Sequence, residues 1–97
     1  MTTLVLLDLR AKADCVTVLT NLLTAALPDT RAFDGCRELT VHINQEDSQN
    51  FVFVEHWASY DAYQKYLAWR TENGSLAQLM SLLDGPPTIR CFDAVNV

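Results

Sequence analysis

The side chains of this chain best suited to chemistry gather at Glu55-His56-Trp57 and just beyond, where Tyr60, Tyr63, Tyr66, Trp69 and Arg70 follow at short intervals. Five of the nine aromatic residues fall in this stretch. At helical spacing Tyr63, Leu67 and Arg70 share one stripe, and Ala62, Tyr66 and Trp69 share the next. Ring faces stack on a flat apolar ligand, phenol and indole groups give it oriented hydrogen bonds, and an arginine neutralises a phenolate or carboxylate. The expected ligand is therefore a small aromatic molecule. Trp57 and Tyr63 would orient it, Phe53, Tyr66 and Trp69 would wall it, and Arg70 or His42 would handle its charge. Plain core or interface packing is the alternative for each of these residues.

His42 and His56 each stand alone on a stretch of strand character, with no second ligand at metal spacing, so no metal site is expected. Strand alternation puts Glu55 and Trp57 on one face and His56 on the other, which rules out a single acid–base cluster of the three. His42 shares its face with Glu38, Thr40 and Asn44, and would act as a general base if that face lined a pocket. Cys15, Cys36 and Cys91 are odd in number and lack CxxC spacing, as reduced thiols in a cytoplasmic protein would. Neither a serine or cysteine nucleophile motif nor a glycine-rich phosphate loop is present.

The elements that must position these groups are legible in the hydrophobic period. Thr3 to Leu9 is an apolar run of strand length with both faces apolar, as in a strand covered on both sides. From Asp14 to Leu27 the period becomes helical, with Asp14 expected as N-cap and Pro28-Asp29 as the stop. Phe33-Asp34-Gly35-Cys36 reads as a turn. Arg37 to Asn44 alternates, Gln45 to Asn50 reads as a polar hairpin loop, and Phe51 to Trp57 forms the next strand. Ser59 caps a helix to about Glu72, and Asn73-Gly74 ends it. Ser75 opens a shorter helix with an apolar stripe of Leu76, Leu79, Met80 and Leu83, and Thr88 to Val95 is a last strand. This order predicts an α+β fold, the ferredoxin-like split βαβ arrangement, with a four-stranded antiparallel sheet and helices on one face.

Ninety-seven residues make a single domain, 1–97, and 49% of them are hydrophobic. That is more apolar surface than one small core needs, so a second copy is expected against the uncovered sheet face, giving a homodimer. Twelve acidic residues against seven basic ones give a net charge of −5. The basic residues are scattered singly, which argues against nucleic acid and anionic membranes as partners. No apolar run is long enough to span a bilayer, and no export signal is visible, so a cytoplasmic location is expected.

Three segments resemble the antibiotic biosynthesis monooxygenase (ABM) family, within the dimeric α/β barrel superfamily. They are Phe33-Asp34-Gly35-Cys36, Val54-Glu55-His56-Trp57-Ala58-Ser59 and Tyr63-Gln64-Lys65-Tyr66-Leu67. The stretches Tyr66 to Gly74 and Pro86 to Phe92 look like a subgroup pattern within it. The resemblance implies a dimeric barrel closed between two sheets. It also implies oxidation of a phenolic or quinol-like substrate without metal or flavin, the deprotonated substrate itself giving electrons to oxygen. Trp57, Tyr63, Tyr66, Trp69 and Arg70 would supply the dry aromatic walls and the stabilising charge. Haem-degrading relatives use a histidine on the helix after the Glu-x-Trp strand, and the stretch from Tyr60 to Glu72 has none. A non-catalytic dimer that binds a small ligand is the other expectation for the same fold.

Overall fold

A computed structural model describes residues 2–97. Strand β1 (Thr3–Arg10) leads into helix α1 (Val16–Ala32), then β2 (Cys36–Asn44) and β3 (Asp47–Trp57), helices α2 (Tyr60–Glu72) and α3 (Ser75–Met80), and strand β4 (Thr88–Phe92). The strands pair antiparallel in the order β2-β3-β1-β4. This is the expected α+β, ferredoxin-like arrangement, with the chemistry-bearing end of β3 in the sheet centre.

Alternation along the two central strands translates directly into burial. Thr3, Val5, Leu7 and Leu9 of β1 and Phe51, Phe53, Glu55 and Trp57 of β3 are buried on the helix side. On the opposite face Leu4 pairs with His56 and Phe92, and Leu6 with Val54 and Arg90. Leu4, Leu6, Val52 and Val54 are only half-buried there and Phe92 is exposed. An apolar strip thus runs along the open face of the sheet.

Several boundaries differ from the sequence expectation. Pro28 does not end α1, which runs on to Ala32. An interior proline costs a helix about 3 kcal/mol, because it removes a backbone donor and crowds the preceding turn. Tertiary bonds hold the turn beyond it: Arg70 Nη2 donates to the Ala26 carbonyl at 2.9 Å and to Thr30 Oγ1 at 2.8 Å. At the other end Cys15, not Asp14, occupies the N-cap position, and no side chain caps the helix. The Asp14 carboxylate instead accepts from the Cys15 thiol.

The polar segment after β2 is a tight turn at residues 45–46 rather than a long loop, since Asn44 already pairs with Asp47. The Asn44 side chain closes it by accepting from the Glu46 amide at 2.9 Å and donating to Asn50. The last strand stops at Phe92, short of the expected Val95. Leu83 leaves the α3 stripe and bridges to Ala11. By contrast α2 begins where expected, with Ser59 Oγ accepting from the Ala62 amide at 3.0 Å.

The turn before β2 docks against α2. Gly35 has φ +92°, and a Cβ built there would lie 2.6 Å from the Ala62 Cβ. Only glycine takes this conformation and this approach without strain. The Gly35 carbonyl also accepts from the Ala58 amide at 2.7 Å, tying the turn to the end of β3.

The core itself is in two parts. A larger cluster joins Leu7, Leu9, Leu19, Leu23, Leu27, Leu39, Phe51 and Phe53 with Ala11 and Leu83. A smaller one centres on Val5, Trp57 and Tyr63, packed by Phe33, Tyr66 and Leu67.

Candidate functional site

Between these two clusters lies a cavity of about 310 Å³, at the lower end of the ~300–1,000 Å³ typical of small-molecule sites. Its floor is the sheet, with Leu7, Leu39, Phe53 and Glu55. Tyr63, Tyr66, Leu67 and Arg70 come from α2, and Leu23, Ala26 and Leu27 from α1. Ser75 and Leu79 of α3 and Ile89 of β4 complete the wall, and the exposed Gln78 and Asp29 mark its rim.

Glu55 is the one acidic side chain on this floor. It is 3% exposed, and Trp57 Nε1 donates to its Oε1 at 2.9 Å. Among the described residues no cation forms an ion pair with it. Burial therefore raises its pKa above the usual carboxylate value, and the Trp57 hydrogen bond opposes that rise. Tyr63 is 2% exposed, and burial, followed by the Glu55 charge, pushes its hydroxyl far above the ordinary phenol value.

Arg70 and Tyr63 lie on one stripe of α2, seven residues and so roughly 10 Å apart along the helix axis. The Arg70 guanidinium joins three helices. Besides Ala26 and Thr30 of α1 it donates from Nε to the Tyr66 hydroxyl at 2.9 Å and from Nη1 to Ser75 Oγ at 3.3 Å. It lies 4.6 Å from the Trp69 ring centroid and 5.4 Å from that of Tyr66. No carboxylate among the described residues pairs with it.

The structure brings Phe53, Tyr63, Tyr66 and Arg70 together around the cavity. Trp57 is fully buried behind that wall, 5.6 Å from Tyr63 and 5.0 Å from Tyr66 between ring centroids, and reaches the cavity through Glu55. Trp69 is also set back, packing on Phe33 and beneath Arg70. His42 stands apart. It is exposed on the sheet face away from the cavity, its Nε2 2.9 Å from Thr40 Oγ1.

The sequence expectation places Glu55 at the chemistry-bearing strand end but gives it no role of its own, although a signal is present. A carboxylate in phase with Phe51, Phe53 and Trp57 must be carried into the apolar side of the sheet. The cysteines are free thiols, Cys15 and Cys36 half-buried and Cys91 exposed. Among the described residues no three His, Cys, Asp or Glu side chains converge as metal ligands. No helix among them is long and apolar enough to cross a membrane.

The family described as antibiotic biosynthesis monooxygenase matches residues 3–71. The chain superposes with a TM-score of 0.87 on the crystal structure of an antibiotic biosynthesis monooxygenase, at 21% identity, covering 99% of this chain and 100% of the other. A Mycobacterium tuberculosis protein gives a TM-score of 0.87 at 23% identity, over 100% and 98% of the two chains. A mutant of SnoaB, a cofactor-independent oxygenase from Streptomyces nogalater, gives 0.84 at 12% identity, over 99% and 95%. At these identities the likeness speaks for the fold. No curated protein matches the chain significantly in sequence.

Proposed function

The chain belongs to the antibiotic biosynthesis monooxygenase family, and from that premise we propose that it is a cofactor-independent monooxygenase acting on a small aromatic or quinol-like substrate in the cavity between sheet and helices. One observation carries this reading: a buried glutamate, without a cationic partner among the described residues, on the floor of an aromatic-walled cavity. A carboxylate whose proton affinity is raised by burial is a stronger base than one in water, and a water-poor site favours transfer of a proton from a weakly acidic substrate. The fold shared with SnoaB, a cofactor-independent oxygenase, supports the same chemistry.

In this scheme Glu55 takes a proton from an activated ring CH₂, in a quinol that of its keto tautomer, and Tyr63 steadies the resulting anion by hydrogen bonding. The anion gives its electrons to molecular oxygen, and a carbon–oxygen bond forms. Glu55 returns its proton to the peroxide. Loss of water from the hydroperoxide leaves a carbonyl, so that one CH₂ and one O₂ become one C=O and one H₂O. Trp57 positions Glu55, and Phe53 and Tyr66 hold the ring. The functional unit in this reading is a homodimer joined through the apolar strip of Leu4, Leu6, Val52, Val54 and Phe92, in the cytoplasm.

Oxygen uptake with an anthrone or a naphthohydroquinone as probe tests the reaction. Turnover above the buffer rate that stops under anaerobic conditions is expected, and equal rates with and without oxygen overturn the proposal. A non-catalytic binding dimer has one observation in its favour, the engagement of most Arg70 donors by the protein itself. The Glu55→Gln variant separates the two: a binding module keeps its affinity and has no turnover to lose, whereas the oxygenase loses turnover far more than affinity.

A further inference from the structure

The side chains around the cavity differ in what else holds them. Leu7 and Phe53 of the sheet, Leu27 of α1 and Tyr63 of α2 all line it, and each is buried because it also belongs to the core. Helix α3 is built differently. It contributes Ser75, Leu76, Gln78 and Leu79 to the cavity, yet none of its residues from Ser75 to Met80 is buried. Ile89 of β4 is exposed as well, but its place is fixed by pairing with Leu7 in the sheet.

Both ends of α3 are tied down by groups other than its two leucines. At its start Gly74 takes φ +79° with open space where a Cβ would stand, and Arg70 Nη1 donates to Ser75 Oγ at 3.3 Å. Just past its end the Lys12 amide donates to the Leu82 carbonyl at 2.9 Å and the Asp84 amide to the Arg10 carbonyl at 2.7 Å, with Leu83 bridged to Ala11. A helix of six residues has little stability of its own, so these ties and its packing hold it. Leu76 and Leu79 are three residues apart and form one stripe along the cavity. Shortening either one alters the wall and leaves the backbone ties in place.

Topology puts this wall at the end of the cavity remote from Glu55. Glu55 lies level with Val5 in the sheet, whereas the pinned end of α3 meets the chain at Ala11, six residues further on and so roughly 20 Å away. The start of α3 is held to Arg70, roughly two helical turns from Tyr63. The segment matched to the family ends at residue 71, so Glu55, Tyr63 and Arg70 fall inside it and the two leucines beyond it. Resting on the cavity as the substrate site, we propose that Leu76 and Leu79 are specificity-determining residues. They form an end wall that sets how long a fused-ring system the cavity accepts, while Glu55 and Tyr63 act on the ring at the other end. The substrate class is thus a fused-ring aromatic with its hydroxyl-bearing ring towards Glu55 and an unsubstituted apolar ring against α3.

Binding of 2-naphthol and of its three-ring homologue 2-anthrol, followed without oxygen by the fluorescence of the ligands themselves, tests the end wall. In Leu79→Ala the ratio of anthrol to naphthol affinity is expected to rise about tenfold over wild type, the scale on which apolar pockets sort ligands by size. In Leu79→Trp it is expected to fall. An unchanged ratio in Leu79→Ala overturns the proposal. Met80→Ala is the control, since Met80 is 42% exposed and lies outside the cavity lining; an equal shift there counts against the wall. Leu79 also packs on the larger core cluster, so should its variants fail to fold, Leu76→Ala serves. Leu76 is half-buried and belongs to neither core cluster, and an unchanged ratio in its variant overturns the proposal equally. Failure of 2-naphthol to bind the wild type counts against the wall and the cavity together. No turnover enters these measurements. A ratio that depends on α3 without quinol oxidation upholds the wall and sinks the reaction, while oxidation with an indifferent ratio does the reverse.

Discussion

Trp57 and Glu55 stand two residues apart on one face of β3, and the indole Nε1–H of the first is bonded to the carboxylate of the second at 2.9 Å. The contact has a direction in energy. A hydrogen bond to a carboxylate favours the charged form, so the indole holds down a pKa that burial drives up. In Trp57→Phe that brake is gone and the ring bulk is largely kept. The rising limb of the pH–rate profile is expected to move to higher pH, measured as oxygen uptake between pH 5 and 9. A profile that stays in place shows that Glu55 is not the titrating base.

The same carboxyl sets a pH-dependent term in stability. Its folded pKa lies above the unfolded value of 4.5. From that value upward the native state holds the proton more tightly than the unfolded chain, so the Glu55 contribution to stability falls with rising pH until the folded pKa is passed. Glu55→Gln removes the penalty and keeps an acceptor for the indole. It is expected to melt at higher temperature than wild type at pH 7, with the difference vanishing below pH 4.5, while turnover drops by about 10²–10⁴-fold. A variant less stable than wild type at neutral pH contradicts the unpaired-carboxylate reading.

Gly35→Ala places a methyl group 2.6 Å from the Ala62 Cβ at a φ of +92°. The conformational penalty and the overlap together are expected to cost about 2–4 kcal/mol in denaturant unfolding. Adding Ala62→Gly relieves the overlap but not the φ. The double variant should therefore recover part of the loss, and full recovery shows that φ carries no cost.

Arg70→Met leaves the Ala26 carbonyl, Thr30, Tyr66 and Ser75 without their shared donor. A loss of at least about 3 kcal/mol is expected, because each stranded buried group costs about 1–3 kcal/mol. Arg70→Lys should restore less than half, since one ammonium cannot reach positions set for a planar fork. Equal stability of Lys and Arg here removes the three-helix joint from the account.

Val54→Glu sets a charge in the half-buried strip on the open sheet face, beside Leu6. Light scattering at micromolar concentration is expected to give a dimer for wild type and a monomer for the variant. A wild-type monomer withdraws the dimer proposal.

The fold was legible because its central strands are strictly periodic. Leu4 to Leu9 and Phe51 to Trp57 have one side committed to the core, and a one-residue slip would reverse it. The misreadings arose where local rules lost to tertiary contacts. Pro28 and Asp29 do carry a stop signal, overruled by bonds from Arg70, forty-odd positions away in the chain. The segment Gln45 to Asn50 is polar because it lies on an exposed hairpin, not because it lacks strand structure. Within the site, type and spacing marked Tyr63, Tyr66 and Arg70 correctly as neighbours, but not that Trp57 and Trp69 sit behind the wall. Depth along a shared helix face depends on what packs against it, and that is written in α1 and α3.

The two-part core ties the stability of this chain to whatever fills the space between its halves. The Leu19–Phe53 and Trp57–Tyr63 clusters share strands β1 and β3, and Cys36 packs against both, with the cavity open between them. A molecule that fills the space acts as a missing core side chain, and at a hundred times its Kd adds about 2.7 kcal/mol to folding. For a domain of this size that is a large share of the total. If the proposed ligand binds there, unfilled copies open more often and are the ones proteases reach, and abundance then follows supply.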